Sequence, residues 1–144
     1  MKPLLKPAGI VIHHSLTKDG SAVDWDAIRR YHMKEKGWDD IGYHAGIERI
    51  GTTITTMTGR PVNREGAHTI GHNDMLGLCI VGNFDLAPPD AELLQAAAGL
   101  VRSWLRMYPH LTPLDIHCHS EYAAKSCPGS KFPWQLFLAI CNES

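Results

Sequence analysis

The stretch Asp115-Ile-His-Cys-His-Ser-Glu-Tyr-Ala-Ala-Lys-Ser-Cys-Pro-Gly129 leaves this chain few options. Its apolar start, Leu114 and Ile116, predicts a short strand, and Pro128-Gly129 predicts the stop of a following loop. A strand that carries a histidine to its end, followed by a loop that folds back, brings two metal donors close together. The donors on offer are His117, His119 and Cys127, with Lys125 two residues before the thiol. His117 and His119 lie two apart and would share a face of the strand, so either could be the ligand, while Cys118 points away. A catalytic zinc typically takes three protein ligands and keeps a fourth position open. The third ligand must therefore come from elsewhere in the chain.

The other end of the sequence supplies it. Gly9-Ile-Val-Ile-His13 is a β-branched run with a histidine at its terminus. His13 and His14 project to opposite faces of such a strand and do not ligate one metal together. A polar loop through Asp19-Gly20-Ser21 follows, then a helix over Asp24 to Lys34 with Trp25, Ile28, Tyr31 and His32 at helical spacing. Asp24, or Ser21 a turn earlier, caps it, and Gly37 ends it. Ala45 to Ile50, a Gly51-Thr52 turn and Thr53 to Thr56 predict a hairpin, with Tyr43 and His44 at its mouth. Arg60 to Asp74 is polar and reads as a surface loop carrying Arg64, His68 and His72.

Leu76 to Val81 is apolar throughout and predicts a strand covered on both faces. Leu93, Leu94, Ala97, Leu100, Val101, Trp104 and Leu105 recur at helical spacing after Pro88-Pro89-Asp90, and Tyr108-Pro109 stops that helix. Pro133 to Asn142 adds a short last helix. The order of elements predicts a single mixed α/β domain with helices packed on a central sheet.

Composition narrows the function. A net charge of -1 and a pI near 6.7, with no Lys/Arg run, argue against nucleic acid. No apolar run reaches the roughly 18–20 residues of a membrane span, and the start has too short an apolar core for a signal peptide. The expected place of synthesis is the cytoplasm. Of the four cysteines, Cys79 and Cys141 sit in apolar runs and read as buried free thiols. Cys127 alone has a polar, lysine-flanked setting. An open three-ligand site built from His13, one late histidine and Cys127 suits a catalytic metal, which acidifies water and polarises a carbonyl. Lys125 and Tyr43 would donate to the oxyanion that develops on an attacked amide.

His13-His14-Ser15, Gly42-Tyr43-His44, Gly66-Ala67-His68 and Asn73 with Gly77 recur in order along the chain. With Leu78 to Gly82 and the His119 to Gly129 stretch, they resemble the zinc-dependent N-acetylmuramoyl-L-alanine amidases of type 2. That family takes in small phage enzymes and is similar to animal peptidoglycan recognition proteins. The resemblance implies a mixed sheet flanked by helices with one Zn2+ in a surface groove. It implies His13, His119 and Cys127 as ligands, Tyr43 and Lys125 as catalytic residues, and His68 as a groove histidine that contacts substrate. The implied substrate is peptidoglycan or a muropeptide, met by a monomer without nucleic acid or membrane. The implied reaction is hydrolysis of the amide between N-acetylmuramic acid and L-alanine, in a phage or prophage endolysin that reaches the cell wall after release.

Four readings compete with it. A cytosolic enzyme recycling wall fragments shares the chemistry. A binding-only recognition module would lack the cysteine ligand, which is present here. A cysteine hydrolase would use Cys127 as nucleophile. A structural zinc domain would leave Tyr43 and Lys125 without a role.

Overall fold

The computed structural model describes residues 1–16 and 24–143. Five strands form one sheet: β1 (Ile10–His14), β2 (Ala45–Ile50), β3 (Thr53–Thr58), β4 (Leu76–Ile80) and β5 (Ile116–Cys118). Their order is β3-β2-β4-β1-β5. The β2–β3 pair is the expected antiparallel hairpin, while β1 runs parallel to β4 and β5, and β2 parallel to β4. The sheet is therefore mixed and central, as the sequence predicts.

Every residue of β1 and of β4 is buried, as an apolar strand covered on both faces requires. On one face, Ile10, Ile12, Leu76, Leu78 and Ile80 meet α2 (Ala91–Met107) and α3 (Trp134–Cys141). The α2 stripe buries Leu93, Leu94, Ala97, Val101 and Trp104, and Asp90 caps the helix by accepting from the Leu93 N–H. Fully burying an aliphatic or aromatic side chain contributes about 1.5–3 kcal/mol, so this stripe is a principal fastening of the fold. The other face carries a smaller cluster of Trp25, Ile28, Ile41 and Cys79 under α1 (Trp25–Arg30). A Cβ on Gly46 would collide with the Trp25 ring, so glycine in β2 is what lets that indole lie on the sheet.

Asp24 caps α1 by accepting from the Ala27 N–H, and the helix continues as a π-helical turn over Tyr31–Glu35. Gly37 follows with φ +71°, the left-handed conformation that ends a helix at little cost only for glycine. The alternative cap Ser21 and the polar loop around it lie outside the described residues.

Two local expectations need correction. Leu114 is not in a strand: it lies 89% exposed in a 3-10 turn, Pro113–Asp115, capped by Thr112. Strand β5 begins only at Ile116 and ends at Cys118, and His119 opens a second 3-10 turn, His119–Glu121. The strand alternation that put His117 and His119 on one face thus does not reach His119.

Residues 60–74 are also more than a surface loop. Arg60 and Thr69 are buried. The Arg60 guanidinium donates to the carbonyls of Ile41 at 2.9 Å and Glu65 at 3.0 Å, satisfying backbone that would otherwise be orphaned. The N-terminal segment pairs along the same stretch, with Leu4 N–H donating to Asn63 and Glu65 N–H to Lys2.

Candidate metal centre

Ligands of parallel sheets gather outside the carboxyl ends of the strands. Here β1 and β5 are neighbours in register through Ile12 and Cys118, so their next residues, His13 and His119, emerge side by side. Their ring centroids are 4.5 Å apart. The loop after His119 folds back, held by a 2.9 Å hydrogen bond from Ser120 N–H to the Cys127 carbonyl. That return places Cys127 Sγ 3.8 Å from His13 Nδ1. Donor atoms of His13, His119 and Cys127 all lie within 4.8 Å of one another, the one such grouping among the described residues.

The other late histidine goes elsewhere. His117 Nδ1 pairs with Glu121 at 3.1 Å, and its ring sits near Tyr122. His14 turns away from His13, as strand alternation requires. Its Nδ1 accepts from the Phe84 N–H at 3.1 Å and its ring stacks on Phe84. His72 stacks on Tyr122 with ring centroids 3.7 Å apart. His44 serves the fold, its Nδ1 accepting from the Gly77 N–H and its Nε2 contacting the Arg64 carbonyl oxygen.

Electrostatics favour neutral imidazoles. Burial, then the nearby rings of His68 and His119, hold His13 well below the ordinary imidazole value. Burial likewise lowers His119 and takes His68 down to about 3. Neutral rings keep the lone pair that a metal needs. Burial pushes the Cys127 thiol up to about 12, against a 3.3 Å hydrogen bond from the His14 N–H and the charge of Lys125, which favour the thiolate.

Burial disfavours both charges of the thiolate–imidazolium ion pair that a cysteine nucleophile uses. Two imidazoles and one thiol, converging and leaving one side open, are instead the donor set and count of a catalytic zinc. The residues present fit that ion.

The centre sits in a cleft of about 510 Å³ that reaches from Cys127 and Lys125 past Tyr43 to Tyr31, Lys36 and Trp38. Tyr43 packs against the His13 ring at 5.1 Å. Burial, and then the Cys79 thiol to which it is hydrogen-bonded, raises Tyr43 well above the ordinary phenol value. It therefore stays a protonated donor. Lys125 is exposed on the late loop and lines the same cleft. His68 lines it too, although both its ring nitrogens have protein partners. Of the cysteines, Cys79 and Cys141 are buried free thiols as expected. Sequence reasoning passed over Thr69, whose hydroxyl lies 3.3 Å from His13 Nε2, and Met75, whose backbone carbonyl meets His68 Nε2 at 2.8 Å. No helix among the described residues is long and apolar enough to cross a membrane.

Comparison with known proteins agrees with this geometry. The family described as N-acetylmuramoyl-L-alanine amidase matches residues 3–130. An endolysin of Klebsiella phage KP32 is 36% identical over 122 residues, covering 83% of this chain and 78% of the relative. Peptidoglycan-recognition protein SC2 of Drosophila melanogaster is 29% identical over 126 residues, covering 83% of this chain and 67% of that protein. Among solved structures, the N-acetylmuramoyl-L-alanine amidase LysC from Clostridium intestinale superposes with a TM-score of 0.82 at 30% identity. That match covers 96% of this chain and 87% of LysC.

Proposed function

The chain belongs to the N-acetylmuramoyl-L-alanine amidase family, and from that premise we propose how its cleft carries out the reaction. It is an amidase of the endolysin kind, hydrolysing the amide between N-acetylmuramic acid and L-alanine in peptidoglycan. One observation carries the assignment of residues: three donors from opposite ends of the sequence converge beside Tyr43 and Lys125 in one cleft.

In this reading His13, through Nδ1, His119 and Cys127, through Sγ, would hold a single Zn2+. When bound, the ion supplies a Lewis acid that polarises the amide carbonyl and brings the pKa of water to about 7. The protein does the rest. The cleft orients the lactoyl-peptide so that the scissile carbonyl faces the open side of the three donors. Lys125 Nζ and the protonated Tyr43 hydroxyl donate to the oxygen that gains charge as the carbonyl is attacked. Burial favours the protonated form of Tyr43, which suits a donor. The leaving L-alanine nitrogen takes up the proton that the attacking water gives up. His68 stands beside the His13 ring on the cleft wall.

The binding-only alternative leaves Cys127, Tyr43 and Lys125 converging for no purpose, and the amidase reading uses all three. The cell wall, reached after release, is the setting that fits an endolysin, with soluble muropeptides as smaller substrates of the same cleft.

Mass spectrometry of purified peptidoglycan after incubation with the protein tests the whole reading. The expected result is release of stem peptides with a free N-terminal L-alanine, stopped by a chelator and restored by zinc. Release that persists in excess chelator would remove the metal from the mechanism.

A further inference from the structure

The motif Gly66-Ala67-His68, with Asn73 and Gly77, is not explained by contact with a substrate. His68 Nε2 lies 2.8 Å from the Met75 carbonyl oxygen. A carbonyl oxygen only accepts, so Nε2 carries the ring proton. Nδ1 of the neutral ring is then an acceptor, and it lies 3.0 Å from His13 Nε2 and 2.8 Å from Thr69 Oγ1. The Thr69 hydroxyl closes a triangle, 3.3 Å from His13 Nε2, but its single proton can satisfy only one of the two rings. A bare His13 Nε2 would set two ring lone pairs against each other across 3.0 Å, so His13 Nε2 is the donor. A neutral imidazole has one N–H, which leaves His13 Nδ1 as a bare lone pair. That is the nitrogen 3.8 Å from Cys127 Sγ, on the side where the three donors converge.

The rest of the motif immobilises the His68 ring. Asn73 Oδ1 accepts from the backbone N–H groups of both His68 and Thr69, each at 2.9 Å. A Cβ on Gly77 would stand 2.5 Å from His68 Cδ2, and one on Gly66 would collide with the same ring. Glycine at both positions makes the slot into which the imidazole fits.

We propose that His68 is a positioning residue that accepts a hydrogen bond from His13 Nε2 and so fixes the tautomer whose Nδ1 faces the metal. Asn73, Gly66 and Gly77 hold it there. The inference rests on the metal reading of the site and assigns His68 to a ligand instead of to substrate. Metal-ligating histidines commonly have their second nitrogen fixed in this way, most often by a carboxylate or carbonyl, and loss of the partner weakens metal binding. Here a second histidine, itself anchored on a carbonyl, does that work.

Two measurements decide it. In metal-free protein carrying nitrogen-15 histidine, long-range proton–nitrogen spectra should show His13 protonated at Nε2 and bare at Nδ1. A wild-type His13 protonated at Nδ1 overturns the proposal, whether or not zinc binds. Zinc affinity, measured by competition with a chelator, should fall roughly 10–100-fold in His68→Phe. It should recover in part in His68→Asn, whose amide oxygen can take the place of Nδ1. Gly77→Ala, which removes no polar group, should show a similar fall. Unchanged zinc affinity in His68→Phe with a raised KM for peptidoglycan would make His68 a substrate contact and end the proposal. Failure of the wild type to bind zinc would instead overturn the metal reading, with the tautomer spectrum still deciding this inference.

Discussion

His13 reaches the candidate metal centre from within the sheet, between β4 and β5, whereas His119 and Cys127 reach it from an irregular loop at the sheet's edge. The first is 1% exposed, its backbone is paired with Cys79 of β4 and its ring is fixed through His68 and Thr69. The second pair hangs on a short list of polar contacts. Ser126 Oγ and the Ser130 N–H donate to Asp85, at 2.8 and 2.7 Å, and Tyr122 stacks on His72. One half of the site is thus built with the core, and the other is laid against it. A metal shared between them would cross-link the two and would be a structural clamp on the loop as well as a catalyst. Local stability follows density of buried contacts, so the loop half should be the part that loosens when the clamp is absent.

The largest effect should come from removing the loop's thiol. Cys127→Ala leaves two histidines, too few to hold a catalytic zinc, and amide hydrolysis should fall below detection with zinc no longer retained through dialysis. The sheet half should survive, with far-UV circular dichroism and thermal midpoint matching those of metal-free wild type. A Cys127→Ala protein that lost its sheet would mean that the two halves are not separable. Lys125→Ala sharpens the same contrast from the side of chemistry. It should keep zinc in full and lose roughly 10²–10³ in kcat, the cost of one oxyanion donor. Full activity in this variant would remove Lys125 from the mechanism.

The same division explains what could be read in advance. The long helix was legible because Leu93, Leu94, Ala97, Val101 and Trp104 repeat on one stripe, and the structure buries all five. His13 was legible as a histidine at the end of a β-branched run. The choice between His117 and His119 was not, because it turns on where β5 stops. No residue in Ile116-His-Cys-His119 announces the end of a strand, and the exposed Leu114 suggested a longer one. The family resemblance settled on His119, and the geometry brings that ring to His13. The 60–74 segment looked superficial because its composition is polar. Its burial depends on Arg60 donating to the carbonyls of Ile41 and Glu65, and a sequence gives no sign of which carbonyls lie in reach. The anchoring of His68 on the Met75 carbonyl was hidden for the same reason.

Acid should separate the two halves most finely, and with the smallest effect on the loop. Burial lowers His13, His14, His44 and His119, and takes His32 to about 4 and His68 to about 3. Groups lowered on folding contribute stability that is present above their ordinary value and is lost as pH falls, because the unfolded rings take up protons first. In metal-free protein the sheet half, and with it His119 at the near end of the loop, should therefore weaken from about pH 6.5 downward. Asp85 is lowered as well, first by the Ser130 N–H and then by the Ser126 hydroxyl, so its clasp on the loop is kept until the carboxylate range near pH 4. Amide hydrogen exchange across that interval should show protection falling in β1 and β4 while the Ser130 amide changes little. Asp85→Asn should leave the first step alone and remove the second. If instead the Ser130 amide lost protection at the same pH as β1, the loop would be part of the core's own cooperative unit. The metal would then have no separate segment to clamp.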